Sequence, residues 1–373
     1  MLWRQAEHEP LLERAWDENF ARAAIASIVA DAETAIDSDG FWPGHPLDDL
    51  AESERLCSLY LGSGGMVWGL WKLGSRLDAA ALASQAIERY RREPDLGPEG
   101  HAPSLLLGES GLLALADAVG SPAADRERLR RLVHENREHP TWELLWGSPG
   151  TMLAARASGL DEEWRESARL LWASCDAATG VWTQDMYGQI TQYLGAGHGF
   201  VANINSLRGH VSEEDLRART TQVLQRTAGT ENGLINWPPL DEPFAEAAEK
   251  IRVQWCHGAP GILCMVGDLI PRELALAAGE LVWRAGPLRK GAGLCHGTAG
   301  NGYAFLKLHS LTGDPVWIER ARRFAMHAVE QVTQMRAEHG RGRYTLWTGD
   351  LGVAVYLEAC ISASAAFPII DGF

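Results

Sequence analysis

Two short segments carry side chains able to bind a soft metal. WCHGAPG places Cys256 and His257 ahead of Gly258, and LCHGTAG places Cys295 and His296 ahead of Gly297. Two thiolates and one imidazole make a three-ligand zinc set, with the fourth position left to water or substrate; a purely structural site is normally closed by a fourth protein ligand. Ligand softness favours zinc over magnesium or calcium. Cys256, Cys295 and His296 are therefore the candidate ligands, provided the fold joins cysteines 39 residues apart. The ordinary alternative is two buried cysteines and a hydrogen-bonded histidine. His257 could be a supporting partner of a ligand, a substrate contact or an alternative ligand. His198, just ahead of Gly199 in GAGHGFVANI, is suited to proton transfer; its ordinary reading is a histidine in a hydrogen-bonded turn. Cys57, Cys175, Cys264 and Cys360 read as packing residues, since free cysteine is commonly buried. No CxxC pair exists, which argues against zinc fingers and thioredoxin-type redox chemistry.

The elements that must position these groups follow from an internal repeat. Its signature is an apolar stretch, Gly-x-x-Gly and a second apolar stretch. The copies are LYLGSGGMVWGL, LLLGESGLLALA, LLWGSPGTMLAA, GAGHGFVANI, WCHGAPGILCMV, LCHGTAGNGYAF and LWTGDLGVAVYL. Their first glycines are Gly62, Gly108, Gly147, Gly199, Gly258, Gly297 and Gly349. One such spacing means little in a chain with 39 glycines. Seven copies, each entering an apolar run, indicate a repeat architecture. In the fourth copy Ala202 holds the second glycine position, which could shift the loop bearing His198.

Each copy opens two or three helical turns that are apolar on most faces, so these helices belong inside. Gly74, Gly120 and Gly159 follow at the place of a left-handed helix stop. Between the copies lie amphipathic stretches. In one, Trp164, Ala168, Leu171, Trp172 and Cys175 form a stripe at helical spacing. In another, Asp314 is an N-cap and Pro315 the first helical residue, with Trp317, Ala321, Phe324, Ala328 and Val332 facing inward. Seven inner helices ringed by seven outer ones make an all-α, α/α toroid, closed so that no end face is exposed. In such a ring, equivalent loop positions of consecutive repeats are neighbours, which joins the two cysteine loops. Residues 1–17 read as an N-terminal extension and 18–373 as a single toroid domain. Thr230 to Pro243 reads as irregular because of its prolines, and is expected near the barrel mouth. Trp237 and Trp255 are the tryptophans expected near the site.

Composition narrows the function. With 34 Lys and Arg against 49 Asp and Glu, the net charge is −15, which argues against nucleic-acid and anionic-lipid partners. Hydrophobic residues at 46% and charged residues at 22% indicate a globular chain. No run approaches the roughly 20 apolar residues of a membrane span. The first residues lack the basic-then-apolar order of a signal peptide, so a cytoplasmic protein is expected.

The whole chain, and WCHGAPG and KGAGLCHGTAGNGYAFLKL most specifically, resembles the lanthionine synthetase C-like family: lantibiotic cyclases and their stand-alone relatives. The cyclases usually carry tyrosine after the first cysteine; His257 here looks more like the stand-alone, glutathione-binding group, as does Lys290. The resemblance implies one zinc held by Cys256, Cys295 and His296, an acid–base role for His198, and an active-site arginine at Arg252. It also implies a catalytic carboxylate at Glu143, where well-known cyclases have aspartate, and glutathione binding at Lys290. For Glu143 an ordinary surface position remains open, and for Lys290 and the adjacent Arg289 an exposed basic side chain.

The chemistry so implied is carbon–sulfur bond formation. A thiolate is the sulfur nucleophile, and it adds to the electron-poor alkene of a dehydroalanine or dehydrobutyrine residue. The thiol expected for a stand-alone member is glutathione, and the acceptor a dehydroamino-acid-containing peptide or protein. Two alternatives stay open: a cyclase joining a peptide's own cysteine to its dehydro residue, and a non-catalytic zinc- and glutathione-binding adaptor.

Overall fold

The computed structural model describes residues 1–97 and 101–373. Helices alternate between an outer and an inner layer. Outer α1 (Glu18–Ala35) leads to inner α2 (Ser63–Lys72), α3 (Ala79–Arg92) to α4 (Glu109–Ala118), and α5 (Arg126–Glu135) to α6 (Ser148–Ala157). Outer α7 (Asp161–Ala173) continues through the antiparallel hairpin β1 (Gln184–Met186) and β2 (Gln189–Thr191) to inner α8 (Phe200–Ser206). Outer α9 (Glu213–Thr227) continues through hairpin β3 (Gly229–Glu231) and β4 (Leu234–Asn236) to inner α10 (Ala259–Val266). Outer α11 (Arg272–Ala285) then leads to α12 (Thr298–Thr312), and α13 (Pro315–His339) to α14 (Asp350–Ser362). Each inner helix packs on the next, and α14 packs back on α2, closing the ring. This is the all-α toroid the repeat demands.

The repeat glycines explain the sharp entry into each inner helix. All seven first glycines are N-caps. At the second glycine of every copy but the fourth, a Cβ would lie 1.8–2.3 Å from the carbonyl oxygen six residues earlier, so no larger residue fits. The fourth copy keeps its loop despite Ala202. Phe200 N–H still donates to Tyr193 O and Val201 N–H to Leu194 O, in the same register as Thr298 to Gly291 and Ala299 to Ala292 in the sixth copy. Its inner helix, α8, is only 7 residues long.

Inner and outer helices differ as the patterns require. Every residue of α10 is buried. In α13 the stripe from Trp317 to Val332 is buried, and Asp314 accepts from Val316 N–H as the N-cap. In α7, Trp164, Ala168 and Leu171 are buried; Trp172 is half-buried under the Arg219 guanidinium, and Cys175 lies past the helix end. Gly74, Gly120 and Gly159 all adopt the left-handed conformation.

Two features go beyond the sequence reading. The segment read as irregular from Thr230 begins inside a hairpin, turned by Asn232 and Gly233 at positive φ, with its prolines beyond the second strand. Residues 1–17 are stitched to the barrel. Glu9 N–H donates to Pro287 O, Arg289 N–H to Glu7 O, and Asn236 Nδ2 to Leu2 O. The Glu9 carboxylate meets His327 and Gln331 on α13. Among the described residues no helix is long and apolar enough to cross a membrane.

Candidate metal centre

The loops ahead of the inner helices form a hydrogen-bonded belt at one mouth. Four of its links run between residues two places before their first glycines. Tyr60 N–H donates to Leu106 O, Gly197 to Cys256, Cys256 to Cys295, and Cys295 to Trp347. Residues distant in sequence but equal in repeat register thus become neighbours. The close approach of the fourth loop to the fifth requires small residues: a Cβ on Gly195 would lie 2.2 Å from Cys256 O, and one on Gly197 3.0 Å from Cys256 Cβ.

The belt gathers Cys256, Cys295 and His296 into one cluster whose donor atoms all lie within 4.8 Å of one another. It is the one such group of three or more among the described residues. Both cysteines are buried and His296 is half-buried. The two sulfurs are close enough to interact directly. The hydrogen bond between them, with help from His296 and Tyr60, holds Cys295 well below the usual thiol range against the opposing effect of burial. The same bond, reinforced by burial, pushes Cys256 up, with Gln254 and the charge of Lys290 pulling the other way. Gln254 Nε2 donates to Cys256 Sγ at 3.1 Å. Of the other cysteines, Cys57, Cys264 and Cys360 are buried and Cys175 half-buried, and burial raises the pKa of each, Cys360 to about 12.

Across the mouth, His198 Nδ1 lies 3.1 Å from Glu143 Oε2. Glu143 is not a surface residue: its side chain is fully buried, and its oxygens accept Leu145 N–H at 2.8 Å and Trp146 N–H at 2.6 Å. Burial disfavours the charged imidazole of His198, but the hydrogen bond and charge of Glu143, with the charge of Cys295, outweigh it and raise its pKa above 6.5. His257 lies outside the three-donor cluster. Its ring stacks on His198, centroids 5.8 Å apart, and lies 5.6 Å from Tyr193. Burial, then the charges of His198 and Arg252, push its pKa down to about 3, so it is neutral. Its enclosed Nδ1 has no hydrogen-bond partner within the protein.

Arg252 sits close enough to act electrostatically on His257, but it is engaged: Glu7 Oε1 of the N-terminal segment lies 3.5 Å from its Nη1, which also donates to Ile251 O at 2.9 Å. Lys290 is exposed, in the loop between α11 and α12. Arg289 instead donates to the His8 carbonyl at 3.1 Å. Trp237 turns its ring toward α9. It is buried, and its indole N–H donates to Leu224 O of α9. Trp255 turns inward, stacked at 4.7 Å on Phe367. The segment around Trp237 nonetheless supports the site: Asn236 Nδ2 donates to Arg252 O, and its Oδ1 accepts Ala259 N–H at the start of α10.

Tyr60 escaped the sequence reading. Its ring stacks on Trp347 at 5.6 Å; burial, then the charge of Cys295 and a hydrogen bond to it, push its pKa well up, which favours the protonated phenol. Repeat register was the available signal, since Tyr60 occupies in the first copy the position Cys256 and Cys295 hold in theirs.

Comparison with known proteins agrees with this architecture. The family model for "Lanthionine synthetase C-like protein" matches residues 53–371, and the chain belongs to that family. It is 35% identical over 195 residues to Glutathione S-transferase LANCL1 of Danio rerio, covering 48% of this chain and 46% of that protein. It is 34% identical over 196 residues to LanC-like protein GCL1 of Arabidopsis thaliana, covering 48% of this chain and 43% of that protein. The matches thus span under half the length of these curated relatives. The structure of Nisin cyclase shares the fold, with a TM-score of 0.58 and 16% identity over 92% of this chain and 94% of that one.

Proposed function

We propose that this protein forms carbon–sulfur bonds, adding a thiol, glutathione in the first instance, to dehydroalanine or dehydrobutyrine residues of peptides or proteins. The observation that carries the proposal is the joined Cys256–Cys295–His296 cluster facing the His198–Glu143 pair. Two buried thiols and one imidazole form a donor set that fits zinc and leaves a position for an exchangeable ligand. When bound there, zinc supplies a substrate thiol already deprotonated at neutral pH.

The chain's own groups account for the rest. Lys290, exposed and with its charge acting on Cys256, is the group assigned to pair with a glutathione carboxylate. The sulfur lone pair forms a bond to the β-carbon of the dehydro residue, and the alkene electron pair shifts toward the carbonyl oxygen. Arg252, once free of Glu7, offers a guanidinium to that developing negative charge. His198, kept protonated by Glu143, delivers the proton to the α-carbon, which completes an addition with no leaving group. Neutral His257 stacks on the His198 ring and backs it. All six cysteines are free, which accords with a reducing, cytoplasmic compartment.

The test is mass spectrometry of a dehydroalanine peptide incubated with glutathione and zinc-loaded protein, with a folded Cys295→Ala variant as control. A glutathione adduct formed far faster with wild type supports the proposal. A rate equal to spontaneous addition, with zinc and glutathione both bound, overturns it in favour of a binding adaptor. Acceleration confined to peptides carrying their own cysteine converts it to a cyclase.

A further inference from the structure

Each cysteine of the cluster has an uncharged donor residue beside it. Gln254 Nε2 lies 3.1 Å from Cys256 Sγ. Tyr60, from the first repeat, stands beside Cys295: its ring stacks on Trp347, the residue whose carbonyl accepts Cys295 N–H. The two donors come from different places in the repeat register. Gln254 stands four residues ahead of Gly258, where the third repeat has Glu143; Tyr60 stands two ahead of Gly62.

We infer that Gln254 and Tyr60 are positioning residues that tune the two cluster sulfurs, and through them the reactivity of a third sulfur entering the site. The inference rests on the metal-binding reading above. Two thiolates and a neutral imidazole balance the charge of a divalent cation. A substrate thiolate then leaves the buried site one negative charge in excess, and such a charge is costly without compensation. Neutral donors to the two resident sulfurs withdraw electron density without competing for the third. They also orient the ligands, a role whose loss costs about 10–100-fold in metal affinity or activity.

Tyr60→Phe keeps the stack on Trp347 and removes only the hydroxyl. Gln254→Met keeps length and removes the amide. The readout is the sulfur-to-cobalt charge-transfer band of cobalt-loaded protein, together with the rate of metal loss to a chelator. The band of each variant is expected to move to lower energy, with the two shifts adding in the double variant and metal loss accelerating about tenfold in each. A wild-type band that stays put in both variants, with unchanged metal loss, overturns the inference alone. A wild-type protein that shows no sulfur-to-cobalt band overturns the metal-binding reading, and this inference with it.

Discussion

Two fully buried carboxylates, Glu109 and Glu143, stand in neighbouring glycine loops and have opposite surroundings. Glu109 follows Gly108 at the start of α4 and is held by Arg91 at 2.7 Å, Arg128 at 2.9 Å and His101 at 3.0 Å. Burial raises its pKa, but the two guanidinium groups outweigh it and bring it down. Among the described residues Glu143 has no guanidinium partner; it takes two backbone N–H groups and the imidazole of His198. Glu109 is saturated by cations from the outer layer and serves as a tie between helices. Glu143 holds one proton-bearing ring at the mouth. Burial of a carboxylate does not distinguish a structural role from a chemical one, whereas its partners do.

The comparison can be broken by substitution. The largest effect is expected for His198→Asn, which should lower the rate of thiol addition about 10²–10⁴-fold while leaving the thermal midpoint near wild type, measured by mass-spectrometric rates and calorimetry. Glu109→Gln should do the reverse, costing about 2–3 kcal/mol of folding stability in denaturant titration. That is less than for a fully enclosed ion pair, because Arg91 and Arg128 keep some solvent. Since the folded Glu109 pKa lies below 4.5, its contribution is present above that pH and lost as pH falls through the folded value, so the variant should show a flatter acid limb.

Glu143→Gln should fall between them, slowing addition about tenfold. In wild type the pKa of His198 is raised above 6.5, so the protonated ring persists into more alkaline solution, and its folding contribution is full below 6.5 and fades as pH rises through the raised value. The variant should therefore lose activity at lower pH than wild type in a pH–rate profile. The smallest effect is expected for Glu7→Gln. The pair with Arg252 is part-exposed, so its loss should change stability by no more than about 1 kcal/mol. Freeing the guanidinium should lower the KM for the dehydropeptide about two- to threefold, within the range of a weak charge contact. An unchanged KM would place Arg252 outside substrate contact.

Repeat register decided what was legible in the sequence. Seven glycine loops specify the ring, and the ring makes neighbours of Cys256 and Cys295, so the cluster could be reasoned out before any coordinates. The contact of Glu143 with His198 follows the same logic, since they lie in adjacent loops, but its hydrogen bond depends on side-chain reach. Tyr60 is harder, because an aromatic residue beside an apolar run reads as core until the first loop is seen to meet the seventh, next to Cys295. Glu7 and Arg252 are 245 residues apart with no periodicity relating them, so the N-terminal stitch had no signal. The strands are only 3 residues each, too short for an alternating pattern to emerge, which hid both hairpins. Trp237 misled because proximity in sequence to a loop at the mouth says nothing about which way the ring turns.

X-ray absorption at the zinc edge, on zinc-loaded protein before and after glutathione is added, tests the central claim most directly. The account predicts two sulfur ligands at the start and three after glutathione, with the initial two reduced to one in Cys295→Ala. A sulfur count that glutathione leaves unchanged, or zinc surrounded by oxygen and nitrogen alone, would contradict thiol activation at this cluster.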